Sequence, residues 1–192
     1  MTRRMRTKGS RFALILMSGG IDSTACAFLL RSAGLRVCGL HIDFGQAAQR
    51  EEARACRSVA RQLGMTILRL RARFPSARYG AGEVVGRNAY LLFSALMSGL
   101  IQRGVIATGI HSGTPYYDCS PRFFQQVNAM VSSYTSGAIS VVAPFLRWTK
   151  SDIVNYCNTS GLLLDKTYSC EKGLTRPCGK CLSCRDRIAL RV

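Results

Sequence analysis

This sequence predicts an α/β protein: an open, mostly parallel sheet with helices on both faces, finished at its C-terminal end by a four-cysteine knuckle. Three observations predict it. Apolar, strand-length runs alternate with helical patterns nearly to the end of the chain, as successive βαβ units do. The first run, Phe12-Ala-Leu-Ile-Leu16, leads into a Ser-Gly-Gly turn and then a helical pattern. Four of the nine cysteines crowd into the last quarter. At 192 residues the chain is long enough for one domain with a full core and too short for two ordinary ones.

The elements can be justified in order. Residues 12–17 form the first strand. A helix over 23–32 turns Ala25, Phe28 and Leu29 inward and stops at Gly34, the residue type best able to end a helix. Residues 37–44 are the second strand, and a polar helix over 49–63 stops at Gly64. Residues 66–70 make a third strand. The stretch 71–85 holds Pro75, Gly80 and Gly82 without a period and reads as a loop. A helix over 87–103, a strand over 105–109, a loop over 111–121, a helix over 123–134 and a strand over 139–143 follow. Thr149-Lys-Ser-Asp152 opens a last sheet-packing helix ending near residue 159. Residues 1–11, with Arg3, Arg4, Arg6, Lys8 and Arg11, read as a basic arm. Residues 12–160 read as the α/β domain and 161–192 as its cysteine-bearing terminal segment.

Net charge is +17. That suits a polyanionic partner, but it also fits a generally basic composition. The basic residues are spread along the whole chain, and no run alternates basic and aromatic residues as a single-strand stacking surface would. No apolar stretch approaches the length of a membrane span, and no signal region is evident, so no membrane role and a cytoplasmic location are expected. The remaining cysteines, Cys26, Cys38, Cys56, Cys119 and Cys157, are too scattered for a disulfide framework.

Met17-Ser-Gly-Gly-Ile-Asp-Ser-Thr24 reads as a phosphate loop. Its glycines let a phosphate approach backbone N–H groups, the hydroxyls of Ser18, Ser23 and Thr24, and a helix N-terminus. Asp22 would repel that anion unless a divalent cation stood between them, so it is assigned as a Mg²⁺ ligand. Ligands of open parallel sheets sit outside the carboxyl ends of the strands. One crevice should therefore gather the loop, Asp43, Gly109-Ile-His111 and residues 144–150. His111 is a substrate-contact candidate, whereas His41 reads as a core histidine. Cys119 could serve as a nucleophile, though a small buried residue is the plainer reading.

Cys170, Cys178, Cys181 and Cys184 are spaced x7, x2, x2. Two thiolates converge at the tight Pro177-Cys-Gly-Lys-Cys181 turn, Cys184 follows at the start of a helix, and Cys170 closes a tetrahedron, the pattern of a structural Zn²⁺ site with no open position. Four thiolates also suit an iron–sulfur cluster; a redox pair would need only two.

The Ser18-Gly-Gly-x-Asp-Ser23 order resembles the PP-loop of the ATP pyrophosphatases, a Rossmann-like class that cleaves ATP to AMP and pyrophosphate while adenylating a substrate. Over residues 12–189 the chain resembles the 7-cyano-7-deazaguanine synthase (QueC) family. The matching pieces are Ser18–Thr24, Asp43-Phe-Gly-Gln46 with Glu51, Gly86-Arg-Asn88, Tyr117-Asp-Cys-Ser-Pro121 with Phe123, Trp148-Thr-Lys150, and Ser169-Cys170 with Pro177-Cys-Gly-x-Cys-x-x-Cys184. The resemblance implies adenylation of 7-carboxy-7-deazaguanine, attack by ammonia to give an amide, and activation of that amide by a second ATP to give the nitrile. It implies that Leu16, Met17, Ser18, Gly19, Gly20, Ile21, Asp22, Ser23 and Thr24 hold ATP, with Asp43 beside them. Arg87 and Asn88 would meet phosphates or substrate, Asp118 the deazaguanine or a metal, and Lys150 the leaving pyrophosphate. Catalysis would fall to Asp22, Ser23, Asp118 and Lys150, with ATP, Mg²⁺ and Zn²⁺ as cofactors and a homodimer as the expected assembly.

The chain departs from the family pattern in places. Ala47-Ala48 stand where Arg-His is usual, Val85 replaces a proline, Ser120 an arginine, and Glu171 a common tyrosine. These fall on the expected substrate side, so the first adenylation is better supported than nitrile formation. Diverged relatives accompany antiphage systems, joining such an acid to an amine of a protein or other molecule, and this is one alternative. Another is an RNA-modifying PP-loop enzyme that grips tRNA through its charge, which the gathered cysteines disfavour. A non-enzymatic zinc protein that binds nucleic acid is a third, made improbable by Asp22.

Overall fold

The computed structural model describes residues 12–72, 79, 82–111, 113 and 115–192. The basic arm and most of the 71–85 loop lie outside the described residues. The sheet has five strands in the order β3-β2-β1-β4-β5: β1 Phe12–Leu16, β2 Arg36–Asp43, β3 Thr66–Arg71, β4 Gly104–Ala107 and β5 Ile139–Val142. All four pairings are parallel, with Leu14 opposite Cys38 on one side and Ile106 on the other. The chain leaves the centre at β1, builds outward to β3, then crosses back to β4. The order therefore reverses between β1 and β4, which is where such sheets open a crevice.

Helices α1 Ile21–Ser32, α2 Gln49–Gln62, α3 Arg87–Met97, α4 Pro121–Tyr134, α5 Lys150–Thr159 and α6 Leu182–Leu190 complete the fold. Alternation along the central strand divides the core in two. Ala13 and Ile15 face a cluster built from α1, α2 and α5, with Val59, Phe145 and Ile153 fully buried. Leu14 faces Leu92, Ala95, Phe124, Val127 and Val131 of α3 and α4. This two-layer packing is why the strands read as continuous apolar runs and the helices as amphipathic ones.

Several boundaries differ from the sequence expectation. α1 starts at Ile21 with Gly20 as its N-cap, so Asp22 lies in the first helical turn. Ala25 is buried as expected, together with Cys26, Ala27 and Leu30, while Phe28 and Leu29 are half-buried at the edge of the cluster. α3 ends at Met97, not near residue 103, because the Ser98 hydroxyl donates to Ala95 O and Gly99 turns left-handed at φ +69°. The 111–121 loop contains a 3-10 turn at Tyr117–Cys119. Ser120 caps α4, its Oγ accepting from Phe123 N at 3.2 Å, with Pro121 at the first helical position. Ser120→Ala should cost about 1 kcal/mol, seen as a fall of roughly 2–4 °C in a thermal melt. An unchanged melt would show the cap to be idle.

Candidate active site and metal centre

The phosphate loop joins β1 to α1 at the switch in strand order. Gly19 is left-handed at φ +76°, and a Cβ there would lie 2.8 Å from Ala55 Cβ and 2.9 Å from Glu52 O, so α2 seats directly on the loop. A Cβ on Gly109, beyond β4, would lie 2.5 Å from Asp22 C, which brings the β4 terminus against the first turn of α1. Gly20 offers no side chain to cap that turn. The helix therefore presents its first N–H groups to the crevice, an arrangement that fits an anion.

The hydroxyls of the loop divide their work. Ser18 is exposed, and its Oγ accepts from Gly20 N and lies 3.2 Å from Ser23 Oγ. Ser23 and Thr24 both donate to Gly20 O, at 3.2 and 2.8 Å, and both are buried. They hold the loop's shape from beneath. Met17 and Ile21 point into the core, so they can serve a ligand only through their backbone, while Leu16 is half-buried on the opposite face.

Asp22, Lys150 and His111 come together above the loop. Lys150 Nζ donates to both carboxylate oxygens of Asp22, at 2.7 and 2.6 Å. Lys150 is the first residue of α5, whose N-terminus carries a Thr149/Asp152 capping box. Just before it, Trp148 packs at a tilt on Phe145 and edge-to-face against Tyr156, fixing the turn that delivers the lysine. His111 Nε2 lies 3.9 Å from Asp22 Oδ2. Its Nδ1 accepts from Gly113 N at 3.0 Å, which places the neutral ring's proton on Nε2, toward Asp22. Burial is the main force holding the imidazole below its ordinary pKa; Asp22 and Asp186 oppose it and Lys150 adds to it.

A second cluster is built on the α3 N-terminus. Asp118 Oδ2 accepts from Asn88 N at 3.1 Å, Asn88 Nδ2 donates to Asp118 O, and Arg87 Nε donates to Asn88 Oδ1. Asp118 thus caps α3 from the 3-10 turn. Cys119 is buried beneath it, with Asn88 Nδ2 3.7 Å from its sulfur. Asp43, at the end of β2, is fully buried and pairs with Arg69 at 2.9 Å and Arg71 at 3.8 Å, while its Oδ1 accepts from Gly45 N.

Sequence reading missed Glu52 and Arg69. Burial pushes the Glu52 carboxyl up, against the Gln46 amide that donates to it at 2.8 Å and against nearby Arg87. The signal was present, since Glu52 falls on the same α2 stripe as Ala55, Cys56 and Val59. Glu51, also buried, pairs with Arg54 at 3.1 Å. His41 is buried with Nδ1 3.0 Å from Met17 O, and burial lowers its pKa.

The four knuckle sulfurs lie within 4.8 Å of one another. A tetrahedral zinc with Zn–S near 2.3 Å needs sulfurs about 3.8 Å apart, so one ion at their centre fits. An iron–sulfur cluster, whose own atoms would fill that centre, needs them spread wider. Backbone N–H groups of Lys180 and Cys181 point at Cys178 Sγ, and that of Cys178 at Cys170 Sγ, each at 3.4 Å. Burial pushes the Cys170 thiol up, but the backbone N–H groups of Cys178, Lys172 and Leu174 outweigh it and bring it to about 6.

The knuckle is strapped to the phosphate loop. Tyr168 N donates to Gly19 O at 2.9 Å, two residues before Cys170. Arg187, three residues after Cys184, donates to Thr167 O and Oγ1 and to Ser169 Oγ. Two of the departing positions, Glu171 and Ala47, make separate contacts in this region. Glu171 accepts from Ser183 N and Oγ and from Gly82 N. A Cβ on Gly173 would collide with Ala47 O.

Fold and site together define an α/β protein with a phosphate-type helix N-terminus at its switch point and a four-cysteine knuckle that could hold a metal ion. A family model described as queuosine biosynthesis protein QueC matches residues 12–82 and 71–190. Two relatives named 7-cyano-7-deazaguanine synthase are similar along nearly the whole chain. That of Koribacter versatilis is 33% identical, covering 92% of this chain and 86% of its own. That of Persephonella marina is 29% identical, covering 94% and 92%. The chain belongs to the QueC family, and so to the enzymes. Two solved structures share the fold. A predicted tRNA methyltransferase subunit from Methanocaldococcus jannaschii matches with TM-score 0.53 at 14% identity, over 78% of this chain and 76% of that one. NMN synthetase from Francisella tularensis matches with TM-score 0.50 at 16% identity, over 89% and 71%. No described helix is long and apolar enough to cross a membrane.

Proposed function

We propose that this chain is an ATP-dependent C–N ligase that adenylates the carboxylate of 7-carboxy-7-deazaguanine and converts it to an amide, releasing AMP and pyrophosphate. The observation that carries the reading is the Asp22–Lys150 pair at the mouth of an uncapped helix N-terminus. In adenylation a carboxylate oxygen attacks the α-phosphorus of ATP, and the bond to the bridging oxygen of pyrophosphate breaks. Ammonia then attacks the acyl carbon and AMP leaves. Negative charge builds on the departing pyrophosphate, and preorganised cations and N–H dipoles are what lower that barrier.

The first-turn N–H groups of α1 and the Ser18 hydroxyl would receive the pyrophosphate. Asp22 would hold Mg²⁺, which supplies charge neutralisation on the phosphate oxygens. Lys150, whose ammonium already reaches the Asp22 carboxylate, would place its positive charge beside the leaving group. His111, neutral with its proton on Nε2, would donate a hydrogen bond into the same space. Arg87 and Asn88, held by Asp118, would face the substrate. The knuckle would hold Zn²⁺ through Cys170, Cys178, Cys181 and Cys184 and would take no part in the chemistry.

The departures favour stopping at the amide, with ammonia or another amine as nucleophile. Ser120 and Glu171 are spent on a helix cap and on the knuckle strap, and Ala47-Ala48 bring no polar group to the crevice. Incubation with ATP·Mg²⁺, 7-carboxy-7-deazaguanine and ammonia should give AMP and pyrophosphate, never ADP, and mass spectrometry should find the amide with one AMP per product. Formation of ADP overturns the ligase reading. A clean nitrile with two AMP would show the departures to be neutral.

A further inference from the structure

A groove of about 330 Å³ runs along the outer face of α2, lined by Arg50, Glu51, Arg54, Arg57 and Thr175. The three arginines fall at i, i+4 and i+7, so they share one helix face and span about 10 Å along its axis. All three are exposed. Among the described residues only Arg54 has an ion-pair partner, Glu51 at 3.1 Å. Glu51 is further engaged by Thr175 Oγ1 at 3.5 Å. Three guanidiniums against one carboxylate leave the groove a surplus of two positive charges.

We infer that this groove binds the phosphate backbone of a nucleic acid, at a site separate from the ATP crevice. Guanidinium forks match phosphate oxygens in bidentate fashion. Their span equals about three steps of a stacked strand at roughly 3.4 Å per nucleotide. The lining holds no aromatic or aliphatic side chain. A groove with no stacking surface reads phosphates and not bases, so recognition is independent of sequence. The same lack disfavours a protein partner, whose interface would need apolar or aromatic anchors. A net charge of +17 supplies the long-range attraction that brings such a polyanion to the groove.

The test is fluorescence anisotropy of the full chain with a labelled single-stranded RNA of roughly 20 nucleotides, between about 50 and 200 mM salt. The triple variant Arg50→Ala, Arg54→Ala, Arg57→Ala should bind at least about tenfold more weakly, and the slope of log Kd against log salt should fall by about 2, near 0.7 for each lost contact. A control of equal charge, Arg31→Ala, Arg103→Ala, Arg122→Ala, removes exposed arginines elsewhere and should change affinity less than about threefold. AMP formation should be unchanged in the groove variant. If the triple variant fails to fold, the three single variants carry the test, each lowering the slope by about 0.7. Equal weakening in both triples would mean diffuse charge and would overturn the inference, as would unaltered binding in the groove variant. Competition at the groove by poly-glutamate or tripolyphosphate as effective as RNA, charge for charge, would also overturn it, in favour of an acidic protein or a free oligophosphate.

Discussion

Asp22→Asn should leave the fold intact and remove AMP formation, a loss of at least about 3 kcal/mol of transition-state stabilisation, more than a hundredfold in rate. The carboxamide keeps the size of the side chain and loses its charge. Two consequences follow from the geometry. Lys150, whose ammonium reaches both Asp22 oxygens, loses its counter-ion, and the only carboxylate on the phosphate loop can no longer hold a divalent ion against the anion beneath it. His111 keeps its place, because its Nδ1 is fixed by Gly113. Circular dichroism and a thermal melt check the fold, and release of pyrophosphate measures turnover. Near-normal turnover in a folded variant would remove Asp22 from the mechanism.

Cys181→Ser should lower stability by about 3 kcal/mol or more, a fall of roughly 6–12 °C in melting temperature, and take metal content from about one zinc per chain toward none. Metal binding is folding energy for a segment with so little core of its own. Only Tyr168 and the four cysteines pack in that cluster. Because Tyr168 N–H holds Gly19 O, loosening the knuckle should also raise the KM for ATP before it alters kcat. Elemental analysis, melting and steady-state kinetics check the three parts. Activity lost at full stability would make the metal catalytic.

Much of the fold was legible in the chain. The strands of a sheet covered on both faces need unbroken apolar runs, and helices covered on one face need a stripe, so their alternation marks both. Boundaries were less legible where local hydrogen bonding decided them. Ser98 and Gly99 stop α3 inside an apolar run that continues through Leu100 and Ile101. Gly20, which the loop motif marked as a turn, is also the N-cap that puts Asp22 inside the helix.

By itself the sequence determined the strand–loop–helix unit of the phosphate loop and the four cysteines that can share one ion, because both are written in short spacings along a few residues. Only the tertiary structure decided what those residues meet. Lys150 lies 128 positions from the aspartate it grips. Asp118 lies 30 positions from the helix it caps. Tyr168 reaches back across the domain to Gly19. No local periodicity encodes such pairs. They form because packing two apolar layers against one sheet brings the strand ends, the α5 N-terminus and the knuckle to the same edge, where buried N–H groups and charges must find partners.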